Sequence, residues 1–165
     1  MDMISAKINL AGLRALVQKY PEASRKAQVS RLTEALVLLE HEIQKATPVG
    51  AGPIHARDTI FHQVQMGEPM RGLVSTPAVY GLPLELGTKP HFPPIAPLQH
   101  WVERVLGVDE KHSKGVAFLV ARAISRRGTE GAEMFGKSLA KRRAQVMAIL
   151  RRIPADIVKS TGGEG

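Results

Sequence analysis

Apolar positions between Pro21 and Ala46 recur at steps of three and four residues, the spacing that places side chains on one face of a helix. These positions are Val29, Leu32, Leu36, Leu39, Ile43 and Ala46. Pro21 suits the first turn of such a helix, and Pro48 disfavours helical backbone in the residue before it. The pattern therefore predicts a long amphipathic helix over 21–46, preceded by a shorter helix over about 4–20.

Two later segments alternate apolar and polar residues, the period of a β-strand. Residues 59–66 place Ile60, Val64 and Met66 on one side, and a second run covers residues 71–76 after the turn at 67–69. We predict an antiparallel hairpin. Residues 50–57, between helix and hairpin, contain two glycines and one proline without periodicity, which predicts a flexible surface loop.

Five of the eleven prolines lie between Pro83 and Pro97. Proline fixes φ and removes a backbone donor, so we expect no regular element in this stretch and a stiff, extended arm over residues 89–97. Such an arm has little entropy to lose when it docks on a partner.

Helical spacing resumes after the arm. We predict helices over 98–106, with Trp101 anchored in the core, over 116–127, ending at Gly128, and over 132–153. The residues expected to point inward from the second of these are Val116, Leu119, Val120, Ala123 and Ile124. Beyond Pro154 we expect at most a short turn, and residues 160–165 should be disordered. The order of elements favours a single α+β domain over residues 1–159.

Composition and motifs exclude several kinds of catalytic, metal-binding and membrane-spanning protein. Of 165 residues, 44% are hydrophobic and 23% charged, which is typical of a folded globular chain, and no cysteine is present for a disulfide, a thiolate metal site or a thiol nucleophile. No apolar run approaches the roughly 18 residues of a membrane span, and no signal peptide is recognisable. The six histidines form no metal-binding spacing, and no phosphate-binding glycine loop or nucleophile elbow occurs. We expect no cofactor, no metal and no enzymatic activity.

The net charge of +8 is concentrated near the C-terminus, because residues 122–159 hold ten Lys or Arg and three acids, a net +7. Such a segment attracts nucleic acid or an acidic protein, or it forms a solvated helix face. The residues that could face DNA are Arg126, Arg127, Lys141, Arg142, Arg143, Arg151 and Arg152. Aromatic residues that would stack on single-stranded bases are absent there apart from Phe135. A basic nucleic-acid-binding module is therefore an alternative, with loose rather than sequence-specific contact.

Four segments, in order, resemble a minor tail component family of tailed bacteriophages, found at the neck or tail-completion position. They are Thr47-Pro48-Val49-Gly50, Asp58-Thr59-Ile60, Tyr80 to Thr88, and Lys89 to Pro94 with the helix after it. The segments Ala121 to Thr129 and Met134-Phe135 are similar to one branch of the family. Gly50 and Ala51 stand where the family usually has Asp and Thr. The resemblance covers roughly residues 30–140.

The resemblance implies a structural virion protein, assembled in the host cytoplasm into a homo-oligomeric ring, expected to be six-fold, that helps join the head connector to the tail. Its partners would be other copies, neighbouring neck and tail proteins, and genomic DNA through non-specific contact, with no membrane. The residues expected at interfaces are Gly52, Pro53, Ile54, Glu85, Leu86, Gly87, Thr88, His91, Phe92, Pro93 and Pro94. For residues 85–88 an alternative stays open, in which Gly87 only supplies a positive φ and Thr88 satisfies a local backbone donor.

Overall fold

The computed structural model describes residues 13–50 and 55–162. The protein is α+β, as predicted, with helices and two small antiparallel sheets. Its described residues divide into two compact units, one over 13–42, 61–75 and 136–162, and one over 43–50, 55–60 and 76–135. That residues 1–159 act as one domain stays a prediction.

The elements follow one another as α1 (Leu13–Lys19), α2 (Pro21–Ala46), a 3-10 helix (Ala56–Thr59), β1 (Phe61–Gln65), β2 (Arg71–Ser75), α3 (Gly81–Leu86), β3 (Gly87–Thr88), α4 (Ile95–Leu106), α5 (Glu110–Arg127), β4 (Thr129–Glu130), α6 (Met134–Leu150) and α7 (Ile153–Ser160).

The helix predicted over 21–46 is confirmed at both ends by α2. Its buried positions include Ala27, Ala35 and Leu36, whereas Ala46, predicted to face the core, is exposed at the last residue of the helix. The preceding helix is confirmed over its last residues by α1, and the predicted residues 4–12 lie outside the described part of the chain.

The first unit has its core where α7 packs against α1 and α2. Ile153 and Ile157 of α7 are buried together with Ala27 of α2. Leu16, Tyr20, Ala23 and Leu150 pack around them. The expectation of at most a short turn beyond Pro154 is therefore wrong, and the helix predicted over 132–153 ends earlier, at Leu150. Pro154 lies in the first turn of α7, where its missing N–H costs no helical hydrogen bond.

The hairpin of β1 and β2 is confirmed, with Val64 opposite Gly72. The side of the strand that is more buried carries His62 and Val64, and Met66 is 54% exposed rather than buried, because β1 ends at Gln65 and the alternation stops there. His62 Nδ1 lies 2.5 Å from Glu40 Oε2 on α2, which ties the hairpin to that helix.

A second polar contact ties α7 to α2. Arg31 donates from Nε to Asp156 Oδ2 at 2.5 Å and from Nη2 to Asp156 Oδ1 at 3.0 Å. The paired hydrogen bonds with Arg31 hold the pKa of Asp156 below its ordinary value.

Two expectations about loops are wrong in the second unit. The loop predicted over 50–57 ends early, because Ala56 is buried and begins the 3-10 helix. The proline-rich stretch does contain regular elements, since α3 includes Pro83 and the first turn of α4 includes Pro97. Prolines are tolerated in first turns, so the extended arm shrinks to residues 89–94.

Helices α4 and α5 pack against each other in the second unit. Val102 of α4 is fully buried, and so are three small residues of α5: Ser113, Ala117 and Ala121. Leu119 is exposed, so the prediction that it points inward is wrong, whereas Trp101 is partly buried. Small side chains let α4 approach α5 closely, which turns the larger apolar residues of α5 outward.

Both ends of α5 have specific caps. Asp109 accepts a hydrogen bond from the His112 N–H at 3.1 Å and caps the helix, whose first residue is Glu110. Gly128 ends the helix as predicted, with φ 73° and its N–H donated to the Ile124 carbonyl oxygen. At the C-terminus, Ser160, the first residue of the segment predicted to be disordered, is the last residue of α7. Residues 163–165 lie outside the described part of the chain.

Candidate functional site

The candidate site is built from the segments for which sequence predicts interfaces. Three of the predicted residues, Gly52, Pro53 and Ile54, lie outside the described residues. The remaining eight, over residues 85–94, belong to the second unit and follow one another from the end of α3 to the start of α4.

Glu85 forms hydrogen bonds within the chain. Its Oε2 accepts from the Phe135 N–H at 2.9 Å, in the first turn of α6, where backbone donors lack helical partners. Its backbone oxygen accepts from the Glu133 N–H at 3.1 Å. Glu85 therefore joins α3 to the start of α6, and its carboxylate serves the internal structure.

Gly87 and Thr88 form β3, which pairs antiparallel with Thr129 and Glu130 of β4. Thr88 Oγ1 lies 2.9 Å from Thr129 Oγ1. The sequence left open that Gly87 only supplies a positive φ and that Thr88 satisfies a local backbone donor. Gly87 does have a positive φ, 77°. The described hydrogen bond of the Thr88 side chain, in contrast, is to a hydroxyl group and not to a backbone donor.

Three glycines surround this strand pair, and we call Gly87, Gly128 and Gly131 the glycine clasp. A Cβ atom added to any of them would lie less than 3.0 Å from a backbone oxygen of the opposite segment. Gly87 and Gly128 also have positive φ, so a side chain at either would add conformational strain. The clasp allows the two backbones to touch directly.

Most of the predicted interface residues in the arm, and Leu86 before it, have exposed side chains. Leu86, just before β3, is 62% exposed and Phe92 is 54% exposed. His91 is also exposed, and its Nδ1 donates to the Lys89 carbonyl oxygen at 2.9 Å. Pro93 is half-buried, and Pro94 is the residue immediately before α4. Of the predicted interface residues, Leu86 and Phe92 offer exposed apolar area to a partner.

Two residues that the sequence did not point to extend this apolar surface. Phe118 of α5 is 51% exposed, and its ring centroid lies 6.1 Å from that of Phe92 at an interplanar angle of 58°. Leu119, the next residue, is 61% exposed. The spacing of Ser113, Ala117 and Ala121 at intervals of four is the sequence signal that could have identified them, because it marks a buried face made of small residues.

The basic residues predicted to face DNA do not share one environment. Lys141 and Arg142 both bind Glu42, whose side chain is only 7% exposed, with Arg142 Nη2 2.6 Å from Glu42 Oε2. Lys141 and then Arg142, through their hydrogen bonds, hold the pKa of Glu42 below its ordinary value. These two cations neutralise an internal carboxylate.

The other predicted cations are exposed. Arg126 and Arg127 end α5 in the second unit, and Arg143, Arg151 and Arg152 belong to the first. The pKa of Asp156 is lowered mainly by its hydrogen bonds with Arg31, and the charge of Arg152 lowers it by a smaller amount. Within residues 13–50 and 55–162, the remaining four have no ion pair.

In the described part of the chain, no group of three or more histidine, aspartate or glutamate side chains is arranged to hold a metal ion. None of the described helices is both long and apolar enough to cross a membrane. No protein-family model, curated protein or solved structure matches this chain.

Proposed function

We propose that this chain is a non-enzymatic structural protein of a tailed-bacteriophage virion, forming an oligomeric ring at the neck or tail-completion position that helps join the head connector to the tail. The observation that carries the proposal is the order of the four segments that resemble the family, over residues 47–50, 58–60, 80–88 and 89–94. Six copies are expected, from the same resemblance.

Two features of the described residues support this proposal. The chain leaves α2 at the first segment, continues through the 3-10 helix and the hairpin, and returns to extended backbone in the arm, which is the order that the resemblance implies. Leu86 and Phe92, within the segments expected to dock, expose more than half of their surface. Exposed apolar residues in a stiff segment suit contact with a neighbouring subunit, since little entropy is lost on docking.

The first test is whether the chain belongs to the particle. Mass spectrometry of purified virions should detect its peptides in stoichiometric amount with the other neck and tail proteins. Electron microscopy of particles made without the gene should show heads and tails that are not joined. Absence of the chain from purified virions contradicts the proposal.

The second test addresses the docking residues. Replacing Leu86 and Phe92 by serine should lower the yield of joined particles in complementation, because the exposed apolar contact is lost. Val79→Ser is the matched control, since Val79 is 94% exposed and lies outside the segments expected to dock. An equal yield from both variants would remove Leu86 and Phe92 from the interface.

A basic nucleic-acid-binding module is the second candidate, favoured by the exposure of Arg143 and Arg151. Charge reversal at these two positions should weaken binding to duplex DNA and flatten its dependence on salt. Arg142 is a poor choice for this test because its loss would leave Glu42 with less neutralising charge. Arg25→Glu, on the exposed side of α2, is the control, and equal effects from both changes would indicate no defined DNA-facing surface.

A further inference from the structure

The outward side of α5 has a composition that its packing does not require. The buried side of this helix consists of small residues, while its two large exposed apolar side chains, Phe118 and Leu119, point to solvent. The reverse arrangement would bury more apolar area and stabilise the chain more. Contiguous apolar side chains left at a surface and bordered by polar residues mark interaction sites.

Phe118 does not stand alone. Its ring packs at a tilt against Phe92 of the arm, so the two half-exposed rings form one apolar surface with Leu119 beside them. We call Phe92, Phe118 and Leu119 the α5 outer surface. Gly115, one turn before Leu119, has no side chain and nothing near the position of a Cβ atom, which leaves open space next to this surface.

Cations border the surface. Lys114 and Arg122 lie four residues before and after Phe118, which places them on the same side of the helix. Lys111 and Arg126 continue the line in both directions, against a single acid, Glu110, in the first turn. Within the described residues, none of these four cations has an ion-paired carboxylate. The surface is apolar at its centre and positive around it.

This charge pattern disfavours a second copy of the chain as the occupant. A two-fold contact would bring the same cations together, which is repulsive. A head-to-tail contact would need an acidic surface elsewhere, but seven of the thirteen carboxylate side chains in the described residues already pair with a basic side chain of their own chain. Those seven are Glu34, Glu40, Glu42, Asp58, Glu103, Asp109 and Asp156, of which Glu40, Glu103 and Asp109 pair with histidine.

Nucleic acid fits less well than protein. Phosphates would pair with the cations, but they cannot cover Leu119, and bases need open aromatic faces on which to stack. Phe92 and Phe118 are already packed against each other. A protein segment with apolar side chains on one side and carboxylates beside them satisfies both parts of the surface.

We infer that the α5 outer surface binds an acidic amphipathic segment of a different protein, with the partner's apolar side chains on Phe92, Phe118 and Leu119 and its carboxylates on Lys114 and Arg122. This inference does not depend on the phage assignment, and it adds Phe118, Leu119 and their bordering cations on α5, which lie outside the segments over 85–94, whereas Phe92 is shared with those segments.

The test is a selection from a random peptide library on the full-length protein, with the Phe118→Ser Leu119→Ser double variant used to remove peptides that bind elsewhere. Enriched peptides should combine Asp or Glu with Leu, Phe, Met or Trp. Fluorescence anisotropy with the best peptide should then show binding that weakens as salt rises.

Two variants separate the apolar and charged contributions. Phe118→Ser should weaken binding at least about tenfold, as expected for a central apolar contact. Lys114→Glu with Arg122→Glu should weaken it by a similar factor and reduce its salt dependence. The controls are Val37→Ser and Arg25→Glu with Lys26→Glu, exposed changes on α2 that should leave binding unchanged.

Several results would overturn the inference. They are the enrichment of peptides without acids, equal losses from control and test variants, or no peptide that discriminates the wild type from the double variant. Preferential binding of a duplex or single-stranded oligonucleotide that depends on Phe118 would assign the surface to nucleic acid instead. Concentration-dependent self-association abolished by Phe118→Ser would assign it to a second copy. Every variant changes exposed residues, so an unchanged thermal unfolding midpoint verifies that each remains folded.

Discussion

Ile157, in the C-terminal helix α7, offers the most direct test of the core of the first unit. Its side chain is fully buried in a cluster with Ile153 and Ala27, and Leu16, Tyr20 and Leu150 pack around that cluster. Replacing Ile157 by alanine removes three carbon groups without introducing a polar atom. The change therefore measures the packing of α7.

The expected loss follows from the buried carbon. Three groups at about 0.8 kcal/mol each give roughly 2.4 kcal/mol of lost transfer free energy. A cavity that relaxes only in part raises the total to about 3–4 kcal/mol. Ile157→Val removes one group and should cost about 1 kcal/mol. At roughly 2–4 °C per kcal/mol for a chain of this size, the alanine variant should unfold about 10 °C below the wild type.

Urea unfolding followed by circular dichroism gives the free energies, and calorimetry gives the midpoints. Val79→Ala is the control, because this exposed valine should change stability by less than about 0.5 kcal/mol. The reasoning is refuted if Ile157→Ala costs less than about 1 kcal/mol, or if the valine variant costs as much as the alanine variant. Either result would mean that α7 is not packed in this way.

Three further predictions concern α5, the glycine clasp and a buried carboxylate. Gly115→Ala should raise the free energy of unfolding by roughly 0.5–1 kcal/mol, because alanine favours the helix and its Cβ atom enters open space. Gly128→Ala should lower the free energy of unfolding by at least about 2 kcal/mol, because the positive φ strains alanine and its Cβ atom clashes with the Thr88 carbonyl oxygen. Equal effects of the two variants in urea titrations would contradict this prediction. Asp109→Ala should lower the free energy of unfolding by about 1 kcal/mol through loss of the cap, and Asp109→Asn, measured in the same way, should retain most of it. Because folding lowers the pKa of Glu42, the ionised carboxylate contributes its full stabilisation above the ordinary glutamate pKa of 4.5, and this stabilisation is lost as the pH falls through the lower pKa of the folded state. Thermal midpoints measured from pH 6 to 2 should therefore fall less steeply for Glu42→Gln than for the wild type.

Sequence patterns predicted the elements whose limits are set locally. Pro21 and Pro48 bound α2, and the four-residue gap between two alternating runs, over 59–66 and 71–76, indicated the hairpin. Gly128 ends α5 because a positive φ is required there, and glycine adopts it readily. In each case the controlling residue lies within or next to the element.

The errors came from residues whose role depends on a distant partner. Pro154 was interpreted as a terminator, yet the buried contact of Ile157 with residues of α1 and α2 makes helix formation favourable beyond it. That Lys141 faces DNA stays a prediction, but the structure adds a contact that the sequence does not indicate, with the buried carboxylate of Glu42, 99 residues away. Nothing in the local pattern of α6 identifies that carboxylate.

The interface role of residues 85–94 stays a prediction, and the structure shows contacts of these residues that the sequence did not indicate. The exposure of Leu86 and Phe92 agrees with a docking role, whereas Glu85 and Gly87 form contacts with a segment more than forty residues later in the chain, which sequence spacing alone could not indicate. Phe118 was missed because the apolar pattern of α5 is compatible with more than one buried face, and the packing of α4 selects the face with the smallest side chains.

The pairing of Thr88 with Thr129 brings together the two ends of the segment between them, which contains the arm, α4 and α5. A segment whose ends are neighbours can change in length at small cost, since doubling a closed loop costs only about 0.6 kcal/mol in closure entropy. The glycine clasp is therefore a fixed attachment point, and the segment that it closes, with α4 and α5, can be lengthened at small entropic cost without altering β3 and β4. The three glycines of the clasp themselves leave no room for a side chain.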